Sequence, residues 1–177
     1  LIVTAPLPQT VRLLEDASKA QLLNPQIYSD IKGIHYTKAL IGLVTLDSDV
    51  QVSESGYVEF SSGDFFSIAD QKKKGVSHIA SLTLTMSPEF SESEFESPNE
   101  LALEKILKAF SRQFPQAKIK GAELKKWRFC QPKSQYKGLF AEIAPQLYLI
   151  GDAFGGSSLI GAVRSSGALL DALIEKS

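Results

Sequence analysis

Apolar and polar positions recur with two different periods along this chain, and the switch between them organises the first reading. Residues 79–86, IASLTLTM, set Ile79, Ser81, Thr83 and Thr85 on one side and Ala80, Leu82, Leu84 and Met86 on the other. That period of two gives one apolar and one mixed face and predicts a strand. Residues 34–46, IHYTKALIGLVTL, are dense in β-branched and aromatic types and predict a longer one. Shorter strands are expected at 1–5, 50–52, 57–60, 65–69 and 146–150, while 117–131 reads as one long strand or two with a bend at Gly121. The helical period takes over at 10–20, through Val11, Leu13, Leu14 and Ala17, and again at 99–113, through Leu101, Ile106, Leu107 and Phe110. Pro6 and Pro8 halt the first strand, Asn24-Pro25 marks a turn, and 70–75 forms a loop. The acidic run at 87–100, SPEFSESEFESPNE, reads as an exposed linker. Short connections between strands of this length predict an antiparallel sheet flanked by helices, an α+β fold.

The end of the chain departs from both periods. A strand-like run closes on Gly151-Asp152, passes Gly155-Gly156, and enters a helix expected over 159–174. Ser157, Ser158, Gly161, Ala162, Ser165, Ser166, Gly167 and Ala168 make that helix poor in large side chains. Each interior glycine costs about 1 kcal/mol relative to alanine, so a close neighbour should compensate. Strand, glycine turn and helix N-terminus together form a place for a polar or anionic group, because the first helical N–H groups lack partners. Asp152 repels phosphate and suits a hydroxyl, which points to a ligand with both hydroxyls and an electron-rich end. Packing of the helix within its own domain is the competing reading.

Composition narrows the partners. The 177 residues are 44% hydrophobic, enough for a core, and carry a net charge of -1, so no electrostatic case exists for nucleic acid or an anionic membrane. No apolar run approaches the roughly 20 residues that span a bilayer. Cys130 is the single cysteine, which excludes an intrachain disulfide and a multi-cysteine metal site and leans towards a cytoplasmic setting. His35 and His78 have no acidic partner at metal spacing, so no metal is expected. The apolar start, LIVTAP, reads as a strand entered from upstream and favours a fragment of a longer chain.

At the glycine-rich end the sequence resembles a known family. GDAFGGSSLIGAVRSSG is similar to the C-terminal flavin-binding segment of the FAD-dependent amine oxidase superfamily, in particular its renalase-like branch. Three more stretches resemble that branch in order: LIVTAPLPQTVRLL leaving the FAD domain, ADQKKKGVSHIASLTLTMSPEFS in the substrate domain, and KKWRFCQP before the final segment. The family's G-x-G-x-x-G turn is absent. The chain is therefore either the C-terminal part of such an enzyme or a divergent relative without the cofactor, and the abrupt start favours the first.

The resemblance implies a strand of an incomplete FAD-binding, Rossmann-like domain at 1–6, a substrate-binding domain at 7–125, and a return strand with the closing FAD segment at 126–177. It implies FAD, held with the missing N-terminal half of the same chain as partner, and a small-molecule substrate. Gly151 and Asp152 would lie at the ribityl-diphosphate part, and Leu159, Ile160, Gly161 and Ala162 beside the isoalloxazine ring, where their N–H groups would stabilise the reduced form. Ser157-Ser158-Leu159 departs from the more polar run of renalase-like members. Trp127 and Phe129 share a strand face that would wall the substrate pocket, as would Tyr36 and Lys38. The implied reaction is hydride transfer from an amine or dihydronicotinamide-type substrate to flavin, with O₂ as acceptor. The catalytic residues stay unknown, and the fragment alone is expected to be inactive. A non-catalytic binding module on an antiparallel sheet is the alternative. Lys72, Lys73 and Lys74 read as a solvated loop or an anion contact.

Overall fold

The computed structural model of the chain describes residues 1–175. Lys176 and Ser177, the end of the segment expected to begin at 126, lie outside the described residues. In chain order the elements are β1 (Ile2–Val3), α1 (Leu7–Leu13), α2 (Glu15–Lys19), α3 (Pro25–Lys32), β2 (Tyr36–Leu46), β3 (Tyr57–Glu59), β4 (Phe65–Asp70) and β5 (Ser81–Met86). Then follow α4 (Pro88–Glu94), α5 (Asn99–Gln113), β6 (Ile119–Pro132), β7 (Ala141–Ala144), β8 (Leu147–Leu149), α6 (Asp152–Gly155) and α7 (Leu159–Glu175). The architecture is α+β, as the periods predict. The chain forms two compact units, one of residues 1–37 and 129–177 and the other of residues 38–128.

The middle unit is a sheet covered on one face by helices. Its strands run β3-β4-β5-β2-β6, and the pairs β3–β4, β4–β5 and β5–β2 are antiparallel. The period of two in β5 holds: Leu82, Leu84 and Met86 are buried, whereas Ser81, Thr83 and Thr85 are half-buried. Those apolar side chains meet Ala102, Ile106, Ala109 and Phe110 of α5. Gly42 lets this helix approach β2, since a Cβ there would stand 2.9 Å from Ile106 Cγ2. Residues 50–52, expected as a strand, are in none.

The acidic run is not a linker. Ser87 caps α4 by accepting from the Phe90 N–H at 3.3 Å, with Pro88 at the first helical position. Ser91 is fully buried and its Oγ accepts the Leu40 N–H at 3.1 Å. Phe95 is buried beneath Lys38, Lys126 and Arg128, whose charged groups stand 4.9–5.7 Å from its ring centre. Glu92 and Glu96 pair with Lys38, and Glu96 also with Arg128, while Lys126 donates to the Phe95 and Ser97 carbonyls. Composition alone hid the apolar side of this segment.

The terminal unit joins both ends of the chain. β1 and β8 pair in parallel and β8 pairs antiparallel with β7, in the order β1-β8-β7. Leu7, Leu14, Leu23, Ile31 and Ile34 share one core with Ala141, Ile143, Leu149 and Phe154. Residues 7–37, expected with the substrate domain, therefore belong with the ends of the chain, because their apolar side chains are buried there. Asn24-Pro25 opens a helix rather than a turn: Asn24 Oδ1 accepts from the Gln26 and Ile27 N–H groups at 3.0 and 3.1 Å. Leu14 divides the helix expected at 10–20 into α1 and α2.

Candidate functional site

Within the terminal unit, the carboxyl ends of the parallel strands β1 and β8 open onto a cavity of about 270 Å³. Thr4 and Pro6 follow β1, Ile150, Gly151 and Asp152 follow β8, and Ala162 and Ser166 come from one side of α7. Crevices outside the carboxyl ends of parallel strands are where open α/β sheets bind ligands. Gly151 has φ +136°, a conformation that L side chains rarely adopt, so the sharp departure from β8 depends on glycine.

The turn is locked onto α7 from below. Gly155 and Gly161 face each other so closely that a Cβ on either would overlap backbone of the opposing segment. At Gly161 it would overlap the Gly156 carbonyl and come within 2.7 Å of Gly156 Cα. Gly161 is thus required by a backbone-on-backbone contact inside the unit, whatever lies on the other side of the helix. Ser165, fully buried one turn later, accepts the Gly151 N–H at 3.1 Å and donates to the Leu139 carbonyl at 2.6 Å. The Gly151 N–H is therefore engaged by protein. Gly167, by contrast, has nothing within 4 Å of where a Cβ would stand.

Ser158 caps α7. Its Oγ accepts the Gly161 N–H at 3.2 Å and its carbonyl the Ala162 N–H at 3.1 Å. That local role accounts for serine at a position where a more polar run was expected. It also takes up two of the four N–H groups assigned to the ring, leaving those of Leu159 and Ile160. The side chains of Leu159 and Ile160 are 82% and 72% exposed.

Asp152 is linked across 116 positions of sequence to Tyr36, whose hydroxyl donates to Asp152 Oδ1 at 3.0 Å. Burial, and then the negative charge of Asp152, hold the Tyr36 phenol well above its usual range, so it stays protonated. The ring of Phe129 meets the Tyr36 ring edge-on, centroids 6.1 Å apart. Cys130, half-buried, has its thiol pushed up by burial first and by Asp152 second.

Of the four residues expected to line a substrate pocket, Tyr36 and Phe129 are thus brought together in the terminal unit. Lys38 and Trp127 belong to the middle unit. Lys38 is engaged with Glu92 and Glu96, at 3.1 and 3.5 Å, and lies over Phe95. Trp127 is half-exposed on its strand. Larger hollows in the middle unit hold less chemistry. The one beside the lysine loop, about 500 Å³, has Lys72 paired with Asp49 and Lys73 bonded to the Ser53 carbonyl. Among the described residues no group of three His, Cys, Asp or Glu side chains is placed to hold a metal, and no helix is long and apolar enough to cross a membrane.

The lining of the cavity suits a hydroxyl-bearing ligand. It offers a carboxylate acceptor, small walls at Gly151 and Ala162, and two small hydroxyl side chains, Thr4 and Ser166. Sequence reasoning missed Thr4 and Pro6, since only the parallel pairing of strands 146 residues apart brings them to Asp152, and Ser166, which α7 brings to the same cavity.

No protein-family model matches the chain, and no curated protein matches it. Among solved structures it is similar to the crystal structure of a protein named "Putative protoporphyrinogen oxidase" from Exiguobacterium sp. 255-15. The TM-score is 0.66 at 14% identity, over 99% of this chain. The match spans 41% of that protein's length. At this identity the likeness establishes the fold.

Proposed function

We propose that this chain is the closing part of a flavin-dependent oxidoreductase, and that the cavity at the ends of β1 and β8 receives the ribityl-diphosphate part of FAD. The observation that carries this reading is the placement of Asp152 and the left-handed Gly151 at the carboxyl ends of two parallel strands, beside a helix whose near side is small. The similarity in fold to an oxidase supports it.

In this reading Asp152 accepts a hydroxyl hydrogen bond from the ribityl chain, and Gly151 and Ala162 allow close approach. Leu159 and Ile160 run beside the ring, where their N–H groups favour negative charge on its pyrimidine side. The bound flavin would supply hydride acceptance from a C–N or dihydronicotinamide-type carbon, with O₂ as final acceptor. The protein's part is orientation and fixed dipoles. The substrate class and the renalase-like character rest on the sequence resemblance at the residues around Asp152 and Trp127.

The partner in this reading is a further stretch of the same polypeptide carrying G-x-G-x-x-G. The outward side of α7 supports it: Leu159, Ile160, Val163, Leu170 and Ile174 are all exposed along one stripe. Such an area of aliphatic surface is more than a solvated helix carries and fits a second layer of helices or strands.

An absorbance scan of the intact gene product tests the proposal. The expected result is a flavin spectrum that bleaches when an amine or a dihydronicotinamide is added without oxygen. Colourless protein that takes up no added FAD points instead to a non-catalytic binding module.

A further inference from the structure

Tyr36 was expected to touch substrate, and its geometry assigns it elsewhere. Its ring is buried in the core of the terminal unit, held by Phe129 on one edge and by Leu7 and Ile34 within the same cluster. A phenol has one proton to donate and lone pairs to accept with. The Leu7 N–H, at 3.5 Å, approaches the oxygen as a donor, so the phenol proton is directed to Asp152 Oδ1 at 3.0 Å. Asp152 Oδ2 has no hydrogen-bond partner among the described residues, and Asp152 lines the cavity with Thr4, Gly151 and Ser166.

Resting on the flavin reading above, we propose that Tyr36 is a positioning residue for ligand binding. It pins one oxygen of Asp152 and fixes the carboxylate rotamer, so that the other oxygen is held ready for a hydroxyl of the ribityl chain. An aspartate free to rotate would lose that freedom on binding, whereas one already pinned does not, and preorganisation of this kind raises affinity without a new contact. The carboxylate is the group that meets the ligand; Tyr36 acts through it.

The experiment is a double-mutant cycle on FAD affinity in the intact gene product, stripped of flavin and titrated with FAD by fluorescence. The four forms are wild type, Tyr36→Phe, Asp152→Asn and the double variant, and the melting temperature of each stripped form is recorded. Tyr36→Phe keeps the ring and its packing. It is expected to weaken FAD binding about fivefold to tenfold where Asp152 is present, the size of one hydrogen bond's net effect. In the Asp152→Asn background it is expected to change affinity less than twofold. An unchanged affinity in Tyr36→Phe overturns the inference. So does an equal loss in both backgrounds, or a loss that tracks a lowered melting temperature, because either marks a merely structural role. Wild-type protein that binds no FAD removes the flavin reading and this inference together; wild-type binding that is indifferent to Tyr36 removes this inference alone.

Discussion

The two long helices of this chain use their apolar residues in opposite ways. In α5 the large side chains Ile106 and Phe110 turn inward and are fully buried, with Ala102 and Ala109 between them. In α7 the inward positions are Gly161, Ser165 and Leu169, while Leu159, Ile160, Val163, Leu170 and Ile174 face out. One helix has its core partner within its own unit. The other packs inward on backbone and leaves its aliphatic stripe exposed. A helix of the first kind stabilises the unit it belongs to; in the proposed reading a helix of the second kind is an inner layer of a larger one.

Variants sharpen that contrast, beginning with the largest effect. Phe110→Ala should cost the isolated 177-residue chain about 3–5 kcal/mol in urea unfolding, the usual result of emptying a packed aromatic site. Gly161→Ala comes next. Alanine would favour a helix by about 1 kcal/mol if the glycine served only a bound ring. The overlap with Gly156 predicts instead a loss of about 2–3 kcal/mol, because backbone of the turn must shift. A stabilised Gly161→Ala chain would break this account of the turn.

Ser91→Ala should cost about 1–2 kcal/mol, since it strands the buried Leu40 N–H without an acceptor. On the outward side of α7 the expectation reverses. Val163→Ser and Ile160→Ser should alter the isolated chain by less than about 0.5 kcal/mol, as exposed positions do.

The smallest effect concerns Cys130. With its thiol pushed up by burial and by Asp152, alkylation should be slow at pH 8 and should accelerate only as pH rises beyond the ordinary thiol range. Asp152→Asn removes the lesser of the two causes and should speed the reaction modestly at a fixed pH. An unchanged rate would separate Cys130 from the Asp152 cluster.

Much of the fold was legible from the spacing of residues. The period of two in β5 holds, and of the spacing expected in α5 Ile106 and Phe110 are fully buried against it, whereas Leu101 faces solvent. The acidic run at 87–100 was not legible as structure. Its apolar content, Phe90 and Phe95, is sparse, and what orders it is a serine cap and a fully buried Ser91, neither visible as periodicity. The helix after Asn24 was hidden in the same way, since Asn-Pro signals a turn and a helix N-terminus alike. β7 was overlooked because it is four residues long and identified only by its pairing with β8.

The site divides similarly. Gly151, Asp152 and the small positions of α7 stand out in the sequence, because glycine in a helix has a cost that something must offset. The identity of that neighbour does not stand out. For Gly161 it is the Gly155-Gly156 turn of the same unit, a contact between segments only a few residues apart. The link from Asp152 to Tyr36 joins positions 116 residues apart and leaves no local pattern. Lys38 looked available on its strand face, yet two glutamates of an apparent linker hold it.

The central claim, that the outward side of α7 is an internal surface of a larger flavin-binding unit, is tested most directly by thiol labelling at one exposed position. With Val163→Cys in a Cys130→Ala background, labelling should be rapid in the 177-residue chain and at least tenfold slower in the intact gene product loaded with FAD. Equal, rapid labelling in both would show that nothing covers this helix and would contradict the account.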